Sequence, residues 1–425
     1  MHSTRRRRPA SSRPATVISL RAREILDSRG WPTIAVTVAL SDGATASASV
    51  PSGASAGQFE AHELRDGEPG RYGGRGVLKA CENVELVIAP ALIGADATSQ
   101  AAIDRLMCAL ETPNKSRLGA NAILGVSLAV ARASAQSLGL SLFRYLGGPT
   151  ARRLPVPMMN VINGGKHADN GLQMQEFMIV PHGAPTYGEA LRYGAEAYHA
   201  LKSLMEDAGH ATGVGDEGGF APHPGYEPGR QIAIALDPAA SSFATEGGYS
   251  LPSLSAATMP ADALLELYET WIRDFPIVSI EDGFGEDDWP AFTKQTAAMG
   301  DRIQIVGDDL YVTNTRFIAR GVAEKSTALI KPNQIGTVTE TVVAIELCRR
   351  AGLAYKFSHR SGETTDAFVA DFAVAMGGGQ LKSGAPCRGE RLAKYDRLLE
   401  IEAELGDAAE FFSPFVAAPV PGALG

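Results

Sequence analysis

The sequence predicts an α/β protein in which a small N-terminal α+β domain precedes a C-terminal (β/α) barrel. From Glu281 onward, chemically capable residues follow short apolar runs at intervals of 23 to 28 positions, about the length of one strand plus one helix. Before the Gly- and Pro-rich break "GGPTARRLPVP", the pattern instead passes from strands to helices. That order is expected of a separate α+β domain.

The N-terminal part divides into a tail and a domain. Residues 1–15 are basic and rich in Ser and Pro, and we expect a disordered tail, because no apolar stretch follows the arginines as an export signal requires. Residues 16–148 begin with two strands around Asp42–Gly43, a pair typical of a hairpin turn. The Ala- and Leu-rich segment "LGANAILGVSLAVARASAQSLG" then predicts helices. Residues 149–425 are assigned to the barrel.

The composition restricts the class of partner. The 425-residue chain is 45% hydrophobic and 20% charged, which allows a large core. Its net charge of −9 argues against nucleic acid or an anionic membrane as a partner, although a pocket can still be locally cationic. Four cysteines without CxxC spacing favour reduced thiols and a cytoplasmic location. Because no run of 18 or more apolar residues occurs, we predict no membrane span.

Short apolar runs in the C-terminal part carry a chemically capable residue at one end. These residues are Glu176, Asp237, Glu281, Asp308, Lys331, His359 and Lys382. Since parallel strands of a barrel end on one face, we expect the side chains to converge there. A doubly wound sheet would give a similar alternation, but it more often binds its ligand at a Gly-rich first turn. No convincing GxGxxG or GxxxxGK[ST] motif occurs.

Three of these residues are acids, and together they predict a metal site. Asp237, Glu281 and Asp308 follow successive apolar runs, and converging carboxylates repel unless a cation lies among them. Oxygen ligands without nearby Cys or His favour Mg²⁺. The alternative for any one acid is a helix N-cap.

The basic residues predict an anionic substrate. Lys331 and Lys382 end two strands of the same face, where neighbouring cations would lower the pKa of a lysine and make it a usable base. His359, Arg360 and Ser361 form a compact set of donors that suits a phosphate. The alternatives are snorkelling lysines and a turn with a structural arginine.

The remaining acids complete a reaction class. Glu217 lies between glycines in "VGDEGGF", where the backbone can approach a ligand, and Glu176 lies at a strand start or end. Either signal alone is weak. Together the residues suggest that a metal clamps a substrate carboxylate, a lysine removes the proton alpha to it, and an acid protonates a leaving group on the next carbon.

Specific motifs then show what the chain resembles. They include "LDSRG", "NKSRLGANAILGVSLA", "MMNVINGGKHADN", "VGDEGGF", "VGDDLYVTNT", "NQIGT" and "SHRSGET". With these motifs the chain closely resembles the enolase family from about Val17 to Glu404. Other branches of the superfamily usually place the base in a Lys-x-Lys pair, and none occurs at a matching strand here.

The resemblance implies a reaction and its machinery. The fold would be an enolase-type barrel with its first two strands antiparallel, and the reaction would be the reversible, hydro-lyase dehydration of 2-phosphoglycerate to phosphoenolpyruvate in glycolysis. Lys331 would remove the C2 proton, while Glu217 would act as the general acid at C3 with support from Glu176. Two Mg²⁺ ions per site are implied, the second bound with substrate, in a homodimer or homo-octamer.

The resemblance also implies the binding residues. Asp237, Glu281 and Asp308 would hold the tighter Mg²⁺, and Ser55 in a mobile loop would ligate the second. The phosphorylated small-molecule substrate would contact His167, Glu176, Lys331, His359, Arg360, Ser361 and Lys382.

Departures from the family pattern keep two alternatives open. Trp31 stands where Asn is usual, Ala56 where Thr is usual, and Pro332 where an apolar residue other than proline is usual. One alternative is an enolase-like dehydratase of a related phospho- or phosphonoglycerate in a secondary-metabolite pathway. The other, from a different class, is a non-catalytic binding protein on the same fold.

Overall fold

The protein is described by a computed structural model. It describes residues 14–53, 57–167, 171–209, 212, 215, 217, 227–324 and 326–415. Ser55 and Ala56 lie outside the described residues, as does all of the expected N-terminal tail except Pro14 and Ala15.

The first ordered unit is a three-stranded antiparallel sheet. Its strands β1 (Val17–Leu26), β2 (Pro32–Leu40) and β3 (Thr45–Ser49) pair in chain order. The predicted turn joins β2 to β3, and Gly43 adopts a φ of +95°, a conformation that glycine reaches without strain. The expected hairpin is therefore confirmed.

Helices cover this sheet and connect it to the barrel. They are α1 (Leu78–Asn83), α2 (Ala89–Leu92), α3 (Gln100–Ala109), α4 (Ala120–Ser137) and α5 (Leu142–Gly147), with a π-helical segment Val84–Ile88 between α1 and α2. Helix α4 packs against β2 and β3. Small residues dominate α4, which lets its backbone approach the sheet closely.

The C-terminal part forms a closed eight-stranded barrel. Its strands are β4 (Val156–Asn163), β5 (Glu176–Val180), β6 (Ala233–Asp237), β9 (Ile277–Glu281), β10 (Gln304–Gly307), β11 (Thr327–Ile330), β12 (Tyr355–Ser358) and β13 (Gln380–Lys382). A small hairpin, β7 (Ala244–Thr245) and β8 (Gly248–Tyr249), lies outside it. Strand β5 is antiparallel to β4 and β6, while every other neighbouring pair is parallel. The barrel and its antiparallel start are confirmed.

Helices alternate with the later strands. They are α6 (Tyr187–Asp207), α7 (Ala261–Asp274), α8 (Trp289–Met299), α9 (Thr315–Gly321), α10 (Pro332–Ile335), α11 (Val338–Ala351), α12 (Phe368–Met376) and α13 (Gly389–Leu405). Several begin at capping side chains; Thr186 accepts from the Glu189 backbone N–H, and Thr337 does the same for Glu340. Pro332 is the first residue of α10, where the missing N–H costs nothing, and Lys331 before it is extended, as expected.

Within the described part of the chain, no single helix is long and apolar enough to cross a membrane. Helix α4 and the segment Leu142–Thr150 pass by length and composition only as a pair, and they are bent by 97°. Most residues of α4 are buried against the sheet and its neighbours.

Candidate active site

The residues predicted at the strand ends meet at one end of the barrel. The cavity there is lined by His167, Glu176, Glu217, Asp237, Asp308, Lys331, His359, Arg360, Ser361 and Lys382, among others. Strand β5 runs against its neighbours, so its first residue, Glu176, reaches the same rim as Asp237 at the end of β6. Glu281, the last residue of β9, is fully buried beside the cavity.

Lys382 joins three of the carboxylates. Its Nζ lies 2.7 Å from Asp237 Oδ2, 2.9 Å from Glu281 Oε1 and 2.9 Å from Glu176 Oε2. Burial lowers the pKa of this lysine, but the surrounding carboxylates raise it well above its usual value. The side chain is therefore a charged ammonium that neutralises part of the acid cluster.

Among the described residues, Lys331 has one carboxylate partner at ion-pair distance, Asp308. Its Nζ lies 2.5 Å from Asp308 Oδ2, and its backbone N–H donates to Thr313 Oγ1 at 2.9 Å. Burial lowers the pKa of Lys331, Asp308 raises it, and Arg360 and Lys382 lower it; the net pKa is above the usual value. Without Asp308 as a partner, burial and the charges of Arg360 and Lys382 favour the neutral amine, while Glu281 favours the ammonium form.

Glu176 and Glu217 form a buried acid pair facing His167. The Nδ1 atom of His167 lies 3.7 Å from a carboxylate oxygen of each. Burial and the charge of Glu217 raise the pKa of Glu176 well above its usual value. Burial also raises the pKa of Glu217, but this effect is outweighed by the contacts with His359, His167 and Arg391, so the net pKa is below the usual range. The surroundings therefore favour the neutral acid at Glu176 and the carboxylate at Glu217.

The ring of His359 is held in one orientation. Arg391 Nη1 lies 2.6 Å from its Nδ1, and Glu217 Oε2 lies 3.2 Å from its Nε2. Because arginine only donates, Nδ1 must accept and the proton sits on Nε2, facing Glu217. Burial lowers the pKa of His359 to about 4, so the ring is neutral at physiological pH.

The predicted phosphate donors lie on one side of the cavity. Arg360 Nη1 donates to Glu60 Oε2 at 2.9 Å, a contact between the barrel and the N-terminal part of the chain. Ser361 Oγ lies 3.1 Å from His167 Nε2. Arg360 is thus both a cation in the cavity and a link to the chain before the barrel.

Carboxylates gather closely enough for a metal in two places within the described residues. In the groups His167, Glu176, Glu217 and Asp282, Asp308, Asp309, one ligand atom from each residue lies within 4.8 Å of the others. The predicted set of Asp237, Glu281 and Asp308 is instead separated by the ammonium groups of Lys331 and Lys382. All three are buried carboxylates beside one cavity, so their chemistry fits a hard divalent cation.

The hydrogen bonds of Asp237 and Asp308 bear on whether these acids serve as helix N-caps. Asp237 Oδ1 accepts the Ala239 backbone N–H at 3.0 Å, which is a local turn contact, while its Oδ2 faces Lys382. Asp308 Oδ1 accepts from Gln334 Nε2 at 2.9 Å and its Oδ2 from Lys331. The carboxylate of Asp308 is therefore bound by two side chains and not by the N-terminus of a helix.

Sequence reasoning missed four residues around the cavity. Asp282 accepts the backbone N–H groups of Asp308 and Asp309 at 2.8 and 2.9 Å, and Asn160 donates to Glu217 at 3.1 Å. Lys356 lies 2.6 Å from Glu281, and Arg391 supports His359. For Lys356 and Asn160 the available signal was a charged or amide residue inside an apolar strand, as in "YKFS" and "VPMMNV".

Comparison with known proteins agrees with this architecture. A family model described as "Enolase, N-terminal domain" matches residues 17–146, and one described as "Enolase, C-terminal TIM barrel domain" matches residues 151–225 and 223–417. The chain is 58% identical over 417 residues to "Enolase 1" of Methylococcus capsulatus, covering 93% of this chain and 99% of that protein. It is 57% identical over 413 residues to "Enolase" of Desulfotalea psychrophila, covering 92% and 98% respectively.

A third relative extends the same result. The chain is 53% identical over 417 residues to "Enolase" of Acidothermus cellulolyticus, covering 93% of this chain and 96% of that protein. Both family models together span the two parts of the fold, and each relative is matched over nearly its whole length. The chain therefore belongs to the enolase family.

Proposed function

We propose that this protein catalyses the Mg²⁺-dependent, reversible dehydration of 2-phospho-D-glycerate to phosphoenolpyruvate, the enolase reaction of glycolysis and gluconeogenesis. The observation that carries the proposal is the pair of lysines from β11 and β13. Lys331 and Lys382 face one cavity, each at ion-pair distance from buried carboxylates. A substrate with a carboxylate and an acidic alpha proton needs such an arrangement of cations and a base.

In this proposal Lys331 is the base. Once Asp308 is engaged elsewhere, burial and the charges of Arg360 and Lys382 favour the neutral amine, which can accept the C2 proton. Lys382 then offers its ammonium to the substrate carboxylate. Its three carboxylate partners lie within 2.9 Å, so the ammonium group is already oriented in the cavity.

Glu217 and Glu176 act on the leaving hydroxide at C3. The neutral acid is favoured at Glu176, while His359 and Asn160 stabilise the ionised form of Glu217. A proton therefore reaches Glu217 by redistribution within the pair when the substrate's own charge enters the cavity. Glu176 serves as the neighbouring group that holds the proton in the free protein.

The phosphate of the substrate is assigned to Arg360, Ser361, His359 and His167. Arg360 and Ser361 are adjacent in sequence, and His167 contacts Ser361, so the donors form one surface. Ser55, outside the described residues, is proposed to join the second Mg²⁺ site.

Two Mg²⁺ ions complete the proposed machinery. Asp237, Glu281 and Asp308 would hold the first. When bound, the ions supply positive charge that stabilises the negative charge developing on the substrate carboxylate. As part of the same proposal, the chain acts in the cytoplasm as a homodimer or homo-octamer. Light scattering on the purified protein measures the oligomeric state directly.

The deciding experiment follows phosphoenolpyruvate by its ultraviolet absorbance after 2-phosphoglycerate and Mg²⁺ are added. We expect turnover that EDTA abolishes and that Lys331→Ala lowers by at least about a thousandfold, because the base is lost. Lys202→Ala is the matched control, since Lys202 is an exposed lysine on α6 away from the cavity, and it should keep the wild-type rate. An active Lys331→Ala protein would remove the assignment of the base. Turnover of a phosphonate analogue, with no turnover of 2-phosphoglycerate, would show that the protein is instead a dehydratase of the related phosphonate.

A further inference from the structure

Lys356 is a lysine in the interior of the barrel, below the cavity. It is the second residue of β12, and its side chain is fully buried. Its Nζ lies 2.6 Å from Glu281 Oε2 on β9 and 3.9 Å from Met158 Sδ on β4. Neither strand is a neighbour of β12 in the barrel, so these contacts cross its interior.

The cost of burying this ammonium makes its partner significant. A charged group in an apolar interior is strongly unfavourable unless it is paired. Among the described residues, Glu281 is the carboxylate within ion-pair distance of Lys356. Burial raises the pKa of Glu281, but Lys356, Lys382 and Lys331 lower it below its usual range, so the carboxylate is ionised.

The two oxygens of Glu281 face different ways. Oε1 lies 2.9 Å from Lys382 Nζ, which borders the cavity, whereas Oε2 lies 2.6 Å from Lys356 in the interior. Lys382 also bridges from Oε1 to Asp237, whose carboxylate lines the cavity. Lys382 lines the cavity, so an entering divalent cation can displace its ammonium group from Oε1, whereas Lys356 is enclosed in the interior and stays beside Oε2. Such a cation therefore meets one oxygen of Glu281.

This restriction matters to the choice of metal. Mg²⁺ binds few carboxylates in a compact octahedral shell, whereas the larger Ca²⁺ takes six to eight oxygens and accepts bidentate carboxylates. We propose that Lys356 is a positioning residue that limits Glu281 to one ligand oxygen and so biases the metal site toward Mg²⁺ over Ca²⁺. The inference rests on the proposed metal site at Asp237, Glu281 and Asp308.

The test is direct metal binding by titration calorimetry, without substrate. In Lys356→Met, which keeps an unbranched side chain one atom shorter and removes the charge, both oxygens of Glu281 become available. We expect the ratio of the Ca²⁺ to the Mg²⁺ dissociation constant to fall about tenfold relative to wild type. A ratio within twofold of wild type would overturn the inference.

Lys115→Met is the matched control. Lys115 is also buried and also paired with a glutamate, since its Nζ lies 2.9 Å from Glu340 Oε1. In both variants a buried lysine loses its ion pair with a glutamate, and both are expected to melt at a lower temperature than wild type. Only Lys356→Met should change the metal preference, because a purely structural lysine would alter stability without altering that ratio.

A crystal structure of the wild-type protein with Ca²⁺ bound keeps the inference testable if Lys356→Met fails to fold. We expect Glu281 to coordinate through Oε1 alone, with Oε2 still beside Lys356; bidentate coordination would overturn the inference. These readouts are separate from turnover. Lack of activity on 2-phosphoglycerate would count against the proposed function, while an unchanged metal preference in an active protein would count against the role of Lys356.

Discussion

Arg391 shows how a single residue outside the cavity can control the groups inside it. The side chain is fully buried, and its guanidinium donates to His359 Nδ1, to the Arg360 carbonyl oxygen and to the Ser361 carbonyl oxygen, each at 2.6 Å. A planar group with five donors is suited to fixing several acceptors at once. Arg391 therefore determines both the tautomer of His359 and the course of the loop assigned to the phosphate.

We expect Arg391→Met to raise KM for 2-phosphoglycerate by at least about tenfold, equivalent to ~1.4 kcal/mol, because the donors of that loop lose their common support. Stability should also fall by about 1–3 kcal/mol, since two buried carbonyl groups lose a donor. Steady-state kinetics and urea unfolding measure the two effects. Arg397→Met is the control on the same helix, because Arg397 pairs with Asp371 and Glu400 instead. An unchanged KM in a folded Arg391→Met protein would contradict this role.

Helix α4 is the element in which close packing limits the sequence most. Its position Gly125 faces the N-terminal sheet, and a Cβ built there would lie 2.6 Å from Val36 Cγ2 and 3.4 Å from Val50 Cγ2. Both valines are buried, so neither can move without disturbing the core. The glycine is thus required by the approach of helix and sheet, although glycine weakens a helix on its own.

We expect Gly125→Ala to lower the free energy of unfolding by up to about 2 kcal/mol. Overpacking costs typically 1–3 kcal/mol, and the better helix propensity of alanine offsets about 1 kcal/mol. Gly389→Ala on α13 is the control, because a Cβ there meets nothing within 4 Å. That variant should be neutral or stabilised by about 0.5 kcal/mol. Equal effects of both substitutions in urea unfolding would show that packing at α4 is not the cause.

At the scale of the whole molecule, the N-terminal part and the barrel are joined by ion pairs, one of which involves Arg360 of the cavity. Arg132 on α4 contacts Asp366 through two donors, at 2.5 and 2.6 Å, and Asp366 also accepts the Ser49 backbone N–H at 2.8 Å. Arg360 and Glu60 form a second link between the two parts. The loops that border the cavity are therefore positioned from both parts of the chain.

We expect Asp366→Asn to lower the free energy of unfolding at pH 7 by about 2 kcal/mol, because a partly buried Arg132 loses its charged partner. Burial raises the pKa of Asp366, but Arg132 and two backbone donors lower it to below its usual range. A depressed pKa stabilises the fold above the unfolded-state pKa, and this contribution is lost as pH falls through the folded-state pKa.

The difference between wild type and Asp366→Asn should accordingly shrink when the pH is lowered from 7 to about 3, as followed by urea unfolding across that range. Glu404→Gln is the control, because Glu404 pairs with Arg144 at an exposed position. It should change stability by less than about 0.5 kcal/mol. A difference at Asp366 that stays constant with pH would contradict the assigned role of its charge.

Local pattern was sufficient to predict the order of elements and the strand ends that carry chemistry. The runs before Asp308 and Lys331 and those ending in Glu281 and Lys382 are strands, because apolar runs between turn residues and helices have few other ways to be buried. The direction of β5 came only from the family resemblance, since the residues around Glu176 read equally as a strand start or a strand end. Lys356 was missed because a lysine inside a four-residue strand does not itself indicate what it faces.

By itself, then, the sequence determined that the chain builds a barrel with acids and lysines at one rim, since strand periodicity and residue type are local properties. Only the tertiary structure decided how those groups are paired. It set Lys382 among three carboxylates, Lys331 on Asp308, and Lys356 across the interior from Glu281. These contacts join strands that are distant in the chain, and their geometry depends on the closure of the barrel, which brings opposite strands together.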